Sequence, residues 1–478
     1  MGFENRPEDQ IDEERAEFMR VKEICARQRD YFFSGATRSI SFRRDALKKL
    51  LGAIQARESE LFDALTNDLG KAPMESYLTE ISVVTQEIRY ALAHLARWSR
   101  PVRVPTPLVH FPAKSRIYHD PLGVVLILAP WNYPFQLAVA PLVAAIAAGN
   151  CAVVKSSRMS PAVGKKIAEM IADIFPPEYV ACVDSALDSN DDILAERYDH
   201  ILFTGSEAVG KSVMAAAARN LTPVTLELGG KSPCIVDETA DIELSAKRIV
   251  WGKFLNAGQT CVAPDFILVH RSVKGALIEA LKKSVAALYS ETPLASRDLA
   301  KIVNVRHWER LVQLLPGPSE REIIVFGGEV DRENRRIAPT ILDQVTFDSP
   351  VMREEIFGPI LPILEYDSLD ETLETLQKRP TPLALYLFTK NRAMERRVFE
   401  TLRFGGGCVN DTVVHLSNHH LPFGGVGPSG MGAYHGRTGF ETLSHRKSVL
   451  HKGLWFDVPL RYPPYLAKIF RLVRLILR

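Results

Sequence analysis

Apolar residues recur at three- and four-residue spacing in segments 46–65 and 81–95 beneath a charged outer face, which predicts scaffold helices up to about residue 100. Beyond it the pattern changes. Between residues 122 and 236 the runs GVVLILA (123–129), CAVVK (151–155), HILFTG (200–205), PVTLELGG (223–230) and PCIVD (233–237) alternate with helical stretches at 137–148, 161–175 and 210–220. Strands covered on both faces read as unbroken apolar runs, and their alternation with helices predicts an α/β fold built on a doubly wound, Rossmann-like parallel sheet. A second series from 249 to about 404 carries FILVH, IIVFGG and LALYLFT and predicts another α/β domain. Gly405, Gly406 and Gly407 then open a polar, glycine-rich stretch that runs to Gly439.

Segment 121–150 contains no charge and exceeds the roughly 20 residues that a bilayer requires. Pro121, Pro130, Pro134 and Pro141 would break a helix of that length, so a buried strand and a buried helix are expected there. Residues 466–478 place Lys468, Arg471, Arg474 and Arg478 on one helical face and Ile469, Phe470, Val473, Ile476 and Leu477 on the other. At about 1.5 Å per residue this tail is too short to span. It suits peripheral contact with an anionic membrane, or docking on its own protein or a partner subunit.

The composition narrows the partner. Lys and Arg number 59 against 57 Asp and Glu in 478 residues, a balance that creates no field for holding nucleic acid, so a small molecule is expected. Six cysteines, no two closer than Cys234 and Cys261, form no CxxC clip, so neither a metal site nor a disulfide scaffold is expected. Residues 1–20 lack the apolar stretch of a secretory signal, and reduced thiols in the cytoplasm follow.

Three residues carry candidate chemistry. Cys261 ends Asn-Ala-Gly-Gln-Thr-Cys, where small residues permit a turn that presents the sulfur to a substrate and its own N–H to a developing oxyanion. Glu227 is a lone carboxylate at the end of an apolar strand, followed by two glycines. Burial would raise its pKa and suit it to general-base work, unless it pairs with Lys231. Asn132 lies between two prolines in Pro-Trp-Asn-Tyr-Pro and offers an amide donor to an oxyanion, or bonds only its own backbone as an Asx turn. Thr204, Gly205 and Ser206, with Gly210, follow a strand and open a helix, the setting in which amides meet phosphate oxygens. The one GxGxxG match, Gly425 to Gly430, has no strand before it and contains Pro428, so it is set aside.

With these residues in view, the chain resembles the NAD(P)-dependent aldehyde dehydrogenases, most closely the short class 3 or fatty-aldehyde type. PWNYP, FTGS, LELGGK, GQTC, EEIFGP and LPFGGVGPSGMGAYHG stand in that family's order and approximate spacing, and the resemblance covers nearly the whole chain. It implies an NAD(P)-binding domain over 1–226, a catalytic domain over 227–405, a return and oligomerisation segment over 406–453, a basic tail over 454–478, and a homodimer. It further implies Cys261 as nucleophile, Asn132 with the Cys261 N–H as oxyanion hole, and Glu227 as the base for deacylation. NAD or NADP would be held by Lys155 at the adenosine ribose, by 205–210 with Ser206 at the pyrophosphate, and by Glu355 and Phe357 at the nicotinamide end. The implied substrates are medium- or long-chain aliphatic aldehydes, with aromatic ones admitted, oxidised to acids through a thiohemiacetal and a thioester.

One position departs from the family pattern. Lys155-Ser-Ser-Arg158 stands where relatives commonly read Lys-Pro-Ser-Glu, so a guanidinium replaces the carboxylate that takes the ribose hydroxyl. That removes repulsion toward a 2′-phosphate and offers it a partner, so acceptance of NADP is expected. Two other readings compete: a cysteine-dependent ester or thioester hydrolase, which would need no nucleotide motif, and a catalytically silent binding protein, which would have no need of all three candidate residues.

Overall fold

A computed structural model describes residues 20–183, 189–317, 321–457, 459–464, 470 and 474. The first set of apolar runs forms a six-stranded sheet in the order Gly430–Met431, Val224–Glu227, His200–Thr204, Val124–Leu128, Cys151–Lys155, Val180–Cys182. The five strands between residues 124 and 227 are parallel, and Gly430–Met431 joins their edge antiparallel from the far end of the chain. The order reverses between Val124–Leu128 and His200–Thr204. Ligands of doubly wound sheets bind at such a reversal, outside the carboxyl ends of the strands.

Behind this sheet lies the helix Gln136–Ala148, every residue of which is buried. It is apolar all round, as a helix covered on all sides should be. Pro141 lies inside it and does not break it, because packing on every side holds the chain where one backbone hydrogen bond is missing. Gly149 ends the helix at φ 93°, and a Cβ there would fall 2.5 Å from the Arg43 guanidinium.

The second series of strands forms a seven-stranded sheet in the order Ile323–Phe326, Thr340–Asp343, Ile360–Tyr366, Phe266–His270, Pro233–Val236, Ala384–Phe388, Gly406–Val409. It is parallel except at its Ile323–Phe326 edge. A third sheet pairs Ala113–Pro121 antiparallel with both Val102–Val104 and Ser444–Lys452, the latter over nine residue pairs.

Several local expectations shift. The helical segment 46–65 is two helices, Ile40–Ala56 and Glu58–Leu69, which meet at Arg57. The helix expected to open at Gly210 opens three residues earlier and spans Glu207–Ala218, because Ser206 is its N-cap, with its hydroxyl toward Val209 N–H. No helix among the described residues is long and apolar enough to cross a membrane. The amphipathic tail falls outside the described residues, apart from exposed Phe470 and Arg474.

Candidate active site

Carboxyl ends of neighbouring strands deliver most of the candidate residues. Asn132 follows Val124–Leu128, Lys155 ends Cys151–Lys155, Gly205 and Ser206 follow His200–Thr204, and Glu227 ends Val224–Glu227. The second sheet contributes from the facing side. A cleft of about 760 Å³ is lined by Asn132, Gly205, Ser206, Cys261, Glu355 and Phe357 together. That volume suits a drug-sized or larger ligand.

Cys261 follows a tight turn in which Asn256 and Ala257 take left-handed backbone angles, φ 51° and 52°. Gly258 must be glycine: it lies at φ 73°, and a Cβ would meet the Gly358 carbonyl oxygen at 2.2 Å. The thiol is pushed up to about 12, first by burial and then by the charges of Glu355 and Glu227. Asn132 is buried, and its Nδ2 donates to the carbonyl of Gln259, 3.1 Å away and 127 positions on, so it is not a local Asx turn. One Nδ2 hydrogen remains.

Glu227 is 1% exposed, and among the described residues neither carboxylate oxygen has a hydrogen-bond partner. The expected alternative, a pair with Lys231, does not form, because Lys231 bonds Asp265 and the carbonyls of Val351 and Glu354. Burial alone holds the Glu227 carboxyl well above the usual carboxylate range. Glu227 does not itself line the cleft but lies near enough to raise the Cys261 thiol, and in its ionised form a carboxylate made more basic by burial is a strong proton acceptor.

The other candidates divide. Gly205 lines the cleft, but its own N–H is bonded to the Glu227 carbonyl at 3.0 Å, which leaves the first-turn amides of Glu207–Ala218 as the open donors. Gly210 does not line the cleft. Its amide closes the turn on the Ser206 carbonyl, and a Cβ would lie 2.8 Å from the Leu228 side chain, so it serves close packing and not contact with a pyrophosphate. Lys155 and Arg158 also lie outside the lining of this cleft; Arg158 is exposed and near enough to lower the Lys155 ammonium, after burial. Glu355, pushed up to about 8 chiefly by burial and then by Asp265, accepts from the Gly230 N–H. Phe357 takes φ 50°, and its ring meets Trp131 edge-on with centroids 5.4 Å apart. Among the described residues no group of three or more His, Cys, Asp or Glu is arranged to hold a metal.

A dinucleotide fits this donor set. An open helix N-terminus, cationic Lys211, Arg310 and Arg353, the Glu355 carboxyl and the Phe357 ring share one cleft with a thiol. The fold and site thus define a nucleotide-dependent oxidoreductase. The aldehyde dehydrogenase family model matches residues 10–449. The 4,4′-diaponeurosporen-aldehyde dehydrogenase of Staphylococcus aureus is 49% identical over 92% of this chain and 95% of its own length. A dimeric, NADP-preferring aldehyde dehydrogenase of Canis lupus familiaris is 43% identical over 95% of this chain and 99% of its own length. A substrate-bound structure of Staphylococcus aureus AldH superposes with a TM-score of 0.93 at 47% identity, covering 96% of this chain and all of that one.

The chain belongs to the aldehyde dehydrogenase family, and its reaction is the oxidation of an aldehyde with NAD or NADP. The hydrolase and silent-protein readings give way to it. Sequence reasoning missed Lys71, Glu80 and Asn256, which contact the Asn132 loop; no spacing rule marks them, since they lie 52 or more positions from Asn132.

Proposed function

We propose that the enzyme oxidises medium- or long-chain aliphatic aldehydes to carboxylic acids, with Cys261 as nucleophile, Asn132 as oxyanion donor and Glu227 as general base. The observation that carries this reading is the convergence of Cys261, Asn132 and the helix N-terminus at Glu207 on one cleft, with the unpartnered Glu227 carboxyl close enough to raise the thiol. Bound NAD(P)⁺ supplies the hydride acceptor and a positive ring charge that offsets a nearby thiolate.

Burial disfavours the thiolate, so the Cys261 proton needs an acceptor. Glu227 serves in its carboxylate form, which burial has made a stronger base than an ordinary carboxylate. Sulfur attack on the aldehyde carbon yields a tetrahedral thiohemiacetal whose oxyanion takes the free Nδ2 hydrogen of Asn132 and the Cys261 N–H. One such donor contributes about 2.7 to 4 kcal/mol to acyl-transfer transition states. After oxidation the acyl group is a thioester of Cys261. Once Glu227 has given the first proton to solvent, its carboxylate takes a proton from water, the water oxygen attacks the thioester carbon, and the proton passes to the departing sulfur to release the acid and the thiol.

A bound dinucleotide would be held by the amides following Ser206 and by Glu355 and Phe357 at the nicotinamide end, with Lys155 and Arg158, beyond the lining of the cleft, meeting its adenosine end. The enzyme acts as a cytoplasmic homodimer joined through the antiparallel sheet, near which Leu108, Phe111, Leu450 and Trp455 are exposed. A cluster of that kind marks an association surface. The basic tail rests on anionic membranes, where lipid-derived aldehydes arise.

The test is a kcat/KM series over straight-chain aldehydes, followed by the absorbance of the reduced nicotinamide. Efficiency should climb with chain length, and a maximum at the shortest aldehydes would overturn the substrate assignment. Liposome flotation of the full chain against a form ending at Tyr465 tests the tail, and sedimentation of Trp455→Ser tests the dimer.

A further inference from the structure

Behind the Asn132 loop lies a pair of opposite charges that the reaction above does not use. Lys71 and Glu80 are completely buried, with Nζ 2.6 Å from Oε1. Two charges taken out of water are expensive, and such a pair is weak evidence for stability in itself. Their remaining bonds show what they hold. Glu80 Oε2 accepts the backbone N–H of Phe135 at 3.0 Å and of Gln136 at 2.9 Å. These amides begin the helix Gln136–Ala148, which has no side-chain cap at its N-cap position, and a carboxylate there suits the positive end of the helix dipole.

Lys71 Nζ also donates to the backbone carbonyl of Asn132 at 3.1 Å and lies 3.9 Å above the Tyr133 ring. The Tyr133 hydroxyl is 2.6 Å from Thr260 Oγ1, one residue before Cys261. A second donor, Asn256 Nδ2, reaches the same Asn132 carbonyl at 2.8 Å. The main chain of residue 132 is therefore clamped from behind by a buried ammonium, while its side-chain amide is fixed by Gln259.

We propose that the Lys71–Glu80 pair is the positioning device of the oxyanion hole, with Lys71 holding the Asn132 backbone and Glu80 the helix start behind it, so that the Asn132 amide is set before an aldehyde arrives. This rests on the reading of Asn132 as oxyanion donor. Preorganised donors act at full strength because nothing must move as the charge develops. Neither residue touches the substrate; both act through Asn132.

The test is a set of variants of the full-length enzyme. Lys71→Met with Glu80→Gln removes both charges together, since removing one alone strands the other. With an aldehyde and NADP⁺, kcat should fall about 10²-fold, as a misplacement of about 1 Å can cost, with KM changed less than about threefold. Alkylation of Cys261 by iodoacetamide needs no oxyanion hole and should keep its rate. On an Asn132→Ala background the same pair of substitutions should cost less than about twofold, because the energies of residues acting through one another do not add.

An unchanged kcat overturns the proposal. So does an equal loss on both backgrounds, or an alkylation rate that falls with kcat, since either marks a merely structural pair. If the double variant does not fold, Glu80→Asp, which keeps both charges but shortens the reach to the Phe135 and Gln136 amides, is read by the same criteria. Should Asn132→Ala alone leave kcat intact, the oxyanion reading falls; if Asn132→Ala is crippling and the pair variants are not, only the clamp falls.

Discussion

Gly430 lies directly opposite Glu227 in an antiparallel pair, and Thr204 flanks Glu227 in parallel on the other side. The main chain of the candidate base is thus held from both edges while its carboxyl stays without a partner. Gly430 sits at φ 148°, and a Cβ there would come within 2.3 Å of the Leu226 carbonyl oxygen, so the close pairing demands glycine.

Glu227→Gln should slow hydrolysis of the thioester by about 10² to 10⁴, the usual worth of a general base. Acyl-enzyme should then accumulate at alkaline pH, where the Cys261 thiol ionises without help from Glu227, and be seen by intact-protein mass spectrometry. Stability should move the other way. The folded state raises this carboxyl above its ordinary 4.5 by burial, so its contribution is complete below that value and is lost as the pH climbs through the raised one. Gln stays neutral throughout, so the Tm of the variant relative to the parent should increase from about pH 5 to about pH 8. A constant difference would show that Glu227 is not held neutral.

For Cys261, a thiol pushed up to about 12 predicts sluggish alkylation of the enzyme without coenzyme. Its rate with iodoacetamide should rise about tenfold per pH unit through neutrality, following the thiolate fraction, and remain below that of free cysteine. A plateau near neutral pH would mean a thiolate stabilised by a group other than those described.

Gly229→Ala should weaken coenzyme binding with little change in Tm. The added Cβ would lie 2.3 Å from Glu355 Oε2, the free end of a side chain that can swing aside. Losing a hydrogen bond to this largely protonated carboxyl costs about 1 kcal/mol, roughly fivefold in the coenzyme KM. Titration of intrinsic fluorescence with NAD⁺ gives the same constant without turnover.

Arg158→Glu should shift coenzyme choice toward NAD. A guanidinium pairs with a 2′-phosphate and a carboxylate repels it, so the ratio of kcat/KM for NADP to that for NAD should drop by about tenfold or more. An unchanged ratio would place Arg158 away from the ribose.

Much of this architecture was legible because buried parallel strands cannot hide: Val124–Leu128 and Phe266–His270 show as unbroken apolar runs whose boundaries the structure keeps within a residue. The antiparallel sheet was not. Ala113–Pro121 and Ser444–Lys452 are partly exposed on both faces and carry charges along their length, so no apolar signal betrays them. Thr204, Gly205 and Ser206 announced a helix start but not its first residue, since the serine cap and not the later glycine sets it. Cys261, Glu227 and Asn132 stood out by local motif, whereas Lys71 and Glu80 matter only through distant backbone atoms. Burial of a lysine is a property of the fold that no single segment encodes.

The edge strand Gly430–Met431 also sets an order of assembly. It comes from the far end of the chain, as do Leu443, whose carbonyl takes the Asn150 amide, and His419, whose ring meets Glu87 at 2.7 Å. Synthesis passes Asn132, Glu227 and Cys261 well before it reaches the residues that pair with the Glu227 strand. The strand that ends in Glu227 therefore gains its outer neighbour only once residues made about two hundred positions later are in place.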